Sequence, residues 1–262
     1  MAVLPSEQAA SVQLALSALQ RRPSGLFTDI DGTISPIVEI PQTAVVLPRA
    51  RAALRALTKR IDLVCLLSGR PADDAWRMTR VDDAVYVGNH GVETWLGGEL
   101  LRPPGVARYH ARLARASALL RGALANVPGL VFEDKGLGFA IHYRREPSAA
   151  ADVIAAAKRI AGGRGLEVRV QSAHVEVRAP VEGDKGTALA GLAERYALRG
   201  LVVVGDDPVD VPAFSAARRY AEERAALAVR VTVGRALESG DIALLDPAAV
   251  GEFLETLAAA LE

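Results

Sequence analysis

Cysteine is nearly absent from the 262-residue chain, which contains one. A lone thiol cannot close an internal disulfide. Cys65 also sits inside an apolar run, away from any Cys/His grouping with zinc-site spacing, so it reads as core packing. Excess charge is missing too: Lys plus Arg and Asp plus Glu both number 31, for a formal net charge of zero. That balance advertises neither a nucleic acid nor an anionic membrane, and no such partner is expected. Half of the residues are apolar, yet no uninterrupted stretch approaches the ~20 needed to span a bilayer. The segment Met1 to Glu7 lacks both the basic start and the apolar centre of a secretory signal. The expectation is a water-soluble, cytoplasmic monomer whose partner is a small molecule. No internal repeat or low-complexity tract is visible. Gly162-Gly163-Arg164-Gly165 lacks the G-x-x-x-x-G-K-[ST] order of a phosphate loop and reads as a turn.

What is present centres on Leu26-Phe27-Thr28-Asp29-Ile30-Asp31-Gly32-Thr33-Ile34-Ser35-Pro36, an apolar run that stops at two carboxylates and breaks at Gly and Pro. Side chains two apart on a strand point to one face, so Asp29 and Asp31 can converge just beyond the strand end, where open α/β sheets bind ligands. An ionised carboxylate serves as nucleophile or metal ligand, while a neighbour kept partly protonated serves as general acid. Gly32 permits a sharp turn, and Thr33 brings a hydroxyl and amide N–H groups within reach of an anion. A pair of this kind can also simply cap a turn.

Along the chain, residues 6 to 21 carry Val12, Leu14, Leu16 and Leu19 in a helical pattern, followed by the Asp29 strand. Pro48 begins a helix with Ala53, Leu54 and Leu57 inward. Then come the strand ending at Ser68-Gly69-Arg70, a short helix to Thr79, and a third strand, Ala84 to Val87, ending in Gly88-Asn89-His90-Gly91. Alternating strand and helix predict a doubly wound parallel sheet. The texture changes near Pro103. A long helix, strands over 130–134 and 137–143, a helix over 147–160 and strands over 166–171 and 174–178 give the order αββαββ and a small antiparallel sheet. Lys185 then opens a helix, and strand 201–204 runs into Gly205-Asp206-Asp207-Pro208-Val209-Asp210. The reading is α/β: a discontinuous Rossmann-like core over 1–103 and 183–262, with an α+β cap inserted over 104–182.

Four stretches in this order resemble the motifs of the haloacid-dehalogenase-like phosphotransferases: Asp29-x-Asp31-Gly32-Thr33, Ser68-Gly69-Arg70, Lys185 within Gly183-Asp184-Lys185-Gly186-Thr187, and the acidic run from Asp206. The resemblance implies a hydrolase core in which Asp29 is phosphorylated, Asp31 is the acid and base, and Lys185 completes the catalytic set. It further implies that Gly32, Thr33, Ser68, Gly69 and Arg70 hold the phosphoryl group, and that Mg2+ is bound through Asp29, Asp31 (by its main-chain carbonyl), Asp206, Asp207 and Asp210.

Four stretches resemble trehalose-6-phosphate phosphatases in particular, the two in the cap most specifically. They are Asp29-Ile30-Asp31-Gly32-Thr33-Ile34-Ser35-Pro36-Ile37 and Gly88-Asn89-His90-Gly91-Val92-Glu93 in the core, and Glu133-Asp134-Lys135-Gly136 with His142-Tyr143-Arg144, and Glu176-Val177-Arg178, in the cap. Glu133 with Lys135, and Glu176 with Arg178, alternate along their strands, so that charged groups face together where a core would want apolar ones; hydroxyl-rich rings are bound by such mixed donors and acceptors. A solvated sheet face would look alike. The resemblance implies a sugar-phosphate substrate held by Asn89, His90, Glu133, Lys135, His142, Arg144, Glu176 and Arg178. Sucrose phosphate and glucosylglycerol phosphate are the alternatives, and a silent sugar-phosphate-binding module is a third. One departure stands out: where the family continues with Thr-Asp-Glu, the chain has Val209-Asp210-Val211-Pro212. Weakened support for the metal, and a lower affinity for it, is the consequence to expect.

Overall fold

The computed structural model describes residues 5–38, 40–102, 105–181, 183–234 and 240–262. Two compact units emerge, one formed by Met1–Leu101 with Gly183–Glu262, the other by Arg102–Glu182. The expected junction residues Pro103, Pro104 and Glu182, like Met1 to Leu4, lie outside the described residues. Among the described residues no helix is long and apolar enough to cross a membrane.

The first unit is built on an eight-stranded sheet of order β12-β11-β10-β1-β2-β3-β4-β5. Its strands are β1 (Ser24–Thr28), β2 (Leu63–Leu67), β3 (Val85–Gly88), β4 (Glu93–Leu96), β5 (Glu99–Leu101), β10 (Gly200–Gly205), β11 (Leu227–Val233) and β12 (Ile242–Leu244). All pairings from β12 to β3 are parallel. Strands β1, β2, β3 and β10 are buried along their whole length, because helices cover both faces, and this is why they read as continuous apolar runs. Leu26, Val64, Leu66, Val202 and Val204 pack with α1 (Pro5–Leu19), α2 (Pro48–Leu57), α3 (Ala72–Thr79) and α8 (Pro247–Ala260). Their neighbours Phe27, Leu63, Cys65, Leu201 and Val203 point the other way, toward α6 (Lys185–Arg195) and α7 (Val211–Arg224).

The parallel-rich sheet is the expected one, and it carries an addition: β4 and β5 fold back antiparallel beyond β3. The signal was legible: Gly97-Gly98, both at positive φ, join two short alternating runs, as a two-residue hairpin requires. Among the described side chains of α1, Ala15, Leu16, Ala18 and Leu19 are buried, while Leu14 is exposed. Small alanines complete the inward stripe, so the large residues alone mislead.

The second unit pairs β6 (Val131–Asp134), β7 (Gly138–His142), β9 (His174–Arg178) and β8 (Glu167–Val170) in that order, all antiparallel. One face is apolar. Phe139, Ile141, Val175 and Val177 pack under α4 (Ala107–Ala123) and α5 (Ala150–Gly162) through Leu113, Ala116, Leu120, Val153 and Ala157.

Candidate functional site

Adjacent parallel strands β10, β1, β2 and β3 all end at the same edge of the sheet, and four loops leave it there. Asp29 follows β1, Ser68 follows β2, Asn89 follows β3 and Asp206 follows β10. Lys185 arrives as the first residue of α6. Asp184 fixes that start as N-cap, its carboxylate accepting from Thr187 N at 2.7 Å while Asp184 N donates to Thr187 Oγ1 at 2.8 Å.

Lys185 is 2 % exposed and joins two carboxylates, with its Nζ 2.5 Å from Asp29 Oδ1 and 2.6 Å from Asp210 Oδ1. The other oxygen of Asp210 accepts from the amides of Asp206 and Asp207, each at 3.1 Å. Asp206 Oδ1 in turn accepts from the Thr33 hydroxyl at 2.7 Å. Gly32, at φ +95°, makes room for this: a Cβ there would come 2.0 Å from Asp206 Oδ2.

Burial raises the Asp29 carboxyl to about 8; Lys185 pulls it down, and Asp210 and Asp206 push it further up. Asp206 is raised as well, first by burial and then, against the Thr33 hydroxyl, by Asp210 and Asp207. Burial opposes the charge of Lys185, but Asp29 and Asp210 outweigh it and hold the ammonium above the ordinary lysine value. The ammonium is therefore held charged, while burial and like charge disfavour the ionised forms of Asp29 and Asp206.

Carboxylate oxygens of Asp29, Asp206 and Asp210 lie within 4.8 Å of one another. Three carboxylates against one ammonium, with oxygen donors only, suit a hard divalent cation such as Mg2+. Asp210 already spends both oxygens on Lys185 and two amides, so among the described residues Asp29 and Asp206 keep the oxygens best placed to ligate. The side chains of Asp31 and Asp207 have partners of their own. Asp31 receives Arg70 Nε and Nη2 on its two oxygens, both at 2.7 Å. Asp207 accepts from Val209 N at 3.0 Å and so caps the turn Pro208–Asp210.

The remaining loops are tied together by backbone. Arg70 N donates to Ser68 Oγ at 3.0 Å, Asn89 N to Arg70 O at 2.8 Å, and His90 N to Ser68 O at 3.0 Å. Asn89, His90 and Gly91 all have positive φ. This strained run lays the His90 ring against Gly69, where a Cβ would meet it at 2.6 Å. Glu93 was not singled out from sequence as a site residue; it is buried and accepts from Ala72 N at 2.8 Å, bracing the start of α3.

In the second unit the polar sheet face gathers a separate cluster. Register puts Glu133, Ala140, Glu176 and Arg169 in one row, with His142 and His174 in the next. His142 Nε2 lies 2.8 Å from Glu133 Oε2, and Lys135 Nζ lies 3.8 Å from Glu176 Oε1. The His142 and His174 rings are 5.0 Å apart, and His174 is held below the ordinary histidine value by burial, then by His142 and Lys135. Arg178 pairs with Glu167 at 3.3 Å. Glu167 was absent from the sequence reading, although Glu167-Val168-Arg169 shows the same alternation as Glu176-Val177-Arg178. Arg144 lies exposed in the turn after β7, outside this cluster.

A sequence model described as Trehalose-phosphatase matches residues 27–247. The chain is 34% identical over 270 residues to a trehalose-phosphate phosphatase of Mycolicibacterium paratuberculosis, covering all of this chain and 68% of that protein. It is 37% identical over 213 residues to an uncharacterized glycosyl hydrolase of Mycobacterium tuberculosis, covering 76% of this chain but only 15% of that much longer protein. Its fold resembles a crystal structure of a trehalose-6-phosphate phosphatase related protein, with TM-score 0.75 and 22% identity over 90% of this chain and 97% of the other. The C-terminal domain of trehalose-6-phosphate phosphatase from C. albicans gives TM-score 0.73 and 18% identity over 96% of each chain.

Proposed function

Because the chain belongs to the trehalose-phosphatase family, we propose that it hydrolyses trehalose 6-phosphate to trehalose and inorganic phosphate. The observation that carries this reading is the convergence of Asp29, Asp206, Asp210 and Lys185, drawn from three separated segments, at the edge of the sheet where Ser68 and the Arg70-Asp31 pair also lie.

Asp29 attacks phosphorus, forming an Asp29–O–P bond as the P–O bond to the sugar breaks, and the proton of Asp31 passes to the leaving sugar oxygen. Water then attacks the same phosphorus, gives its proton to Asp31 and releases phosphate, restoring Asp29. Lys185 keeps Asp29 oriented and offsets negative charge on the transferring group. Thr33 holds Asp206, and Ser68 presents its hydroxyl beside the Arg70 amide. Asp29 and Asp206, with Asp210 behind them, would hold Mg2+, which when bound supplies further positive charge against the phosphoryl oxygens. We assign selection of the sugar to the second unit. Glu133, Lys135 and Glu176, braced by His142, supply the acceptors and donors for its hydroxyls.

Phosphate release from a panel of trehalose, sucrose, glucosylglycerol and monosaccharide phosphates, with and without EDTA, tests the proposal. Trehalose 6-phosphate should give the highest kcat/KM, and chelation should abolish turnover until Mg2+ is restored. A higher kcat/KM for another ester would overturn the substrate, and full turnover in excess EDTA would overturn the metal.

A further inference from the structure

We propose that the helix-covered side of the second unit carries a further ligand site: a groove between α4 and the turn after α5, in which Arg112, Arg115 and Arg164 bind a small molecule bearing two or more phosphate charges. This groove is separate from the polar sheet face that holds Glu133 and Glu176, because α4 and α5 pack on the opposite, apolar face of the same sheet.

The charge is segregated in the sequence. Between Glu99 and Glu133 the chain has no Asp or Glu, yet it has Arg102, Arg108, Arg112, Arg115 and Arg121, in a protein whose formal net charge is zero. Arg108, Arg112 and Arg115 recur at helical spacing along α4, beside its buried stripe of Tyr109, Leu113 and Ala116. Like charges three and four apart repel, and a helix with Arg108 but no acid in its first turn also opposes its own dipole. Nothing nearby relieves this. Among the described residues no carboxylate pairs with Arg108, Arg112, Arg115 or Arg164. Glu167, the acid nearest the turn in sequence, is held by Arg178 at 3.3 Å and Arg169 at 3.6 Å. A sequence breaks its local rules in this way where a partner supplies the missing charge.

The groove spans about 630 Å3 and is lined by Ala111, Arg112 and Arg115 of α4 and by Gly163, Arg164 and Gly165 of the turn. Its guanidinium groups are fixed by neutral partners, which leaves their charge uncompensated. Arg164 Nη1 donates to Ile160 O at 2.6 Å and Arg112 Nη1 to Arg164 O at 3.5 Å, while the Arg112 guanidinium lies 5.5 Å from the Tyr109 ring. Groups already held in place lose less freedom on binding. Gly165, at φ +64°, leaves the space beside Arg112 Nη1 open, where a Cβ would lie 3.6 Å away. The amides of Arg164, Gly165 and Leu166 are spent on the carbonyls of Ala161 and Gly162, so this run is a turn and the contacts to an anion fall to the guanidinium groups.

Each arginine presents a planar fork that matches phosphate oxygens, and three forks in one groove suit more than one phosphoryl group. The volume is that of a small-molecule site. A nucleic acid needs a longer basic track, whereas the next exposed residues of α4 are Ala118 and Leu119. Tyr109 is buried under Arg108 and Arg112, so its ring is not presented to a base and the phosphate chain is what the groove reads.

The test is isothermal titration of the full chain in EDTA and low salt, with inorganic pyrophosphate, ADP, inorganic phosphate and an oligoglutamate peptide as probes. Pyrophosphate should bind at least about tenfold more tightly than phosphate, and more weakly as salt rises. Arg112→Gln, Arg115→Gln and Arg164→Gln should each weaken it about tenfold, as loss of a charged hydrogen bond does. Arg121→Gln removes the same charge from a guanidinium that lies over Phe132 instead, and should change it less than about twofold. Pyrophosphate should also slow hydrogen exchange in peptides covering residues 107–116 and 160–166.

Wild-type affinity in all three groove variants, or an equal loss in Arg121→Gln, would overturn the proposal. Protection confined to the loops at 29–33, 68–70 and 206–210 would overturn it too, by placing the anion in the first unit. Oligoglutamate binding tenfold more tightly than pyrophosphate would make the groove a protein-docking surface and sink the small-molecule reading. ADP binding as well as pyrophosphate upholds recognition of the phosphate chain alone, and ADP binding tenfold better upholds the site with a nucleotide as its source. Neither titration nor exchange depends on turnover, so failure of the proposed hydrolysis leaves these outcomes intact.

Discussion

Lys185 Nζ lies 2.5 Å from Asp29 Oδ1, although 156 residues separate the two in sequence. The same ammonium lies 2.6 Å from Asp210 Oδ1, so one cation ties the loops after β1 and β10 to the first turn of α6. The neighbouring turn is equally close-fitted: Gly91, at φ +110°, faces the Asp184 carbonyl so tightly that a Cβ would lie 2.1 Å from it.

Lys185→Ala removes a cation that faces two buried carboxylates. Uncompensated buried charge costs about 3–5 kcal/mol, and loss of a charge-stabilising group at the reaction centre costs roughly 100-fold or more in kcat. Urea unfolding and steady-state kinetics on the variant check both. An unfolding midpoint and a kcat at wild-type values would contradict the role given to this residue.

Gly32→Ala places a methyl group where Asp206 Oδ2 now lies, at a φ that side chains rarely adopt. The strain costs about 1–3 kcal/mol. The displaced Asp206 carboxylate should raise the Mg2+ concentration for half-maximal activity by roughly 10-fold. A Mg2+ titration of the purified variant, alongside its thermal midpoint, gives the answer; an unchanged titration would mean that Asp206 is not a ligand.

Glu176→Ala tests the polar sheet face of the second unit. Truncation removes the carboxylate 3.8 Å from Lys135 Nζ and, in the proposed function, an acceptor for sugar hydroxyls. The kcat/KM for trehalose 6-phosphate should fall at least about tenfold more than that for p-nitrophenyl phosphate. A ratio equal to wild type would mean that this strand faces solvent in the working enzyme.

Asp241 provides a pH-dependent stability test away from the site. It accepts from Arg230 N at 2.8 Å, from Nε at 3.1 Å and, on its other oxygen, from Nη2 at 2.8 Å. The Arg230 guanidinium holds its carboxyl below the ordinary range, against some burial. A carboxyl depressed in the folded state binds its proton more readily in the unfolded chain. Its contribution is therefore fully present above the unfolded value of about 3.9 and is lost as pH falls through the lower folded value. The stability gap between wild type and Asp241→Asn should be widest near neutrality and close in acid below about pH 4. A gap independent of pH would refute the assignment.

The amino-acid sequence by itself determined the strands, the loops at their ends and the residue types that meet there. Asp29, Ser68, Asn89 and Asp206 each follow an apolar run, and a run buried on both faces must end at the sheet edge whatever surrounds it. Lys185 was legible because Asp184 and Thr187 form a local cap that starts a helix at that position. The family, too, was readable from the motifs in order.

What only the tertiary structure decided is where each carboxylate points. Asp31 and Asp29 share a strand-like spacing, yet Asp31 turns to Arg70 and Asp29 to Lys185, because beyond residue 28 the chain is no longer a strand and period two no longer governs direction. Asp210 has the spacing of a metal ligand and belongs to the acidic cluster, while its oxygens also accept from Lys185 and two amides, and Asp207 caps a turn. In the second unit, alternation put Glu133, Glu176 and Arg178 on their strands, with Lys135 just past the end of β6. The register of β7 with β9 and of β9 with β8 then set Lys135 beside Glu176 and Arg178 beside Glu167. Register and loop dihedrals are set by contacts between segments far apart in the chain, and no periodicity within one segment encodes them.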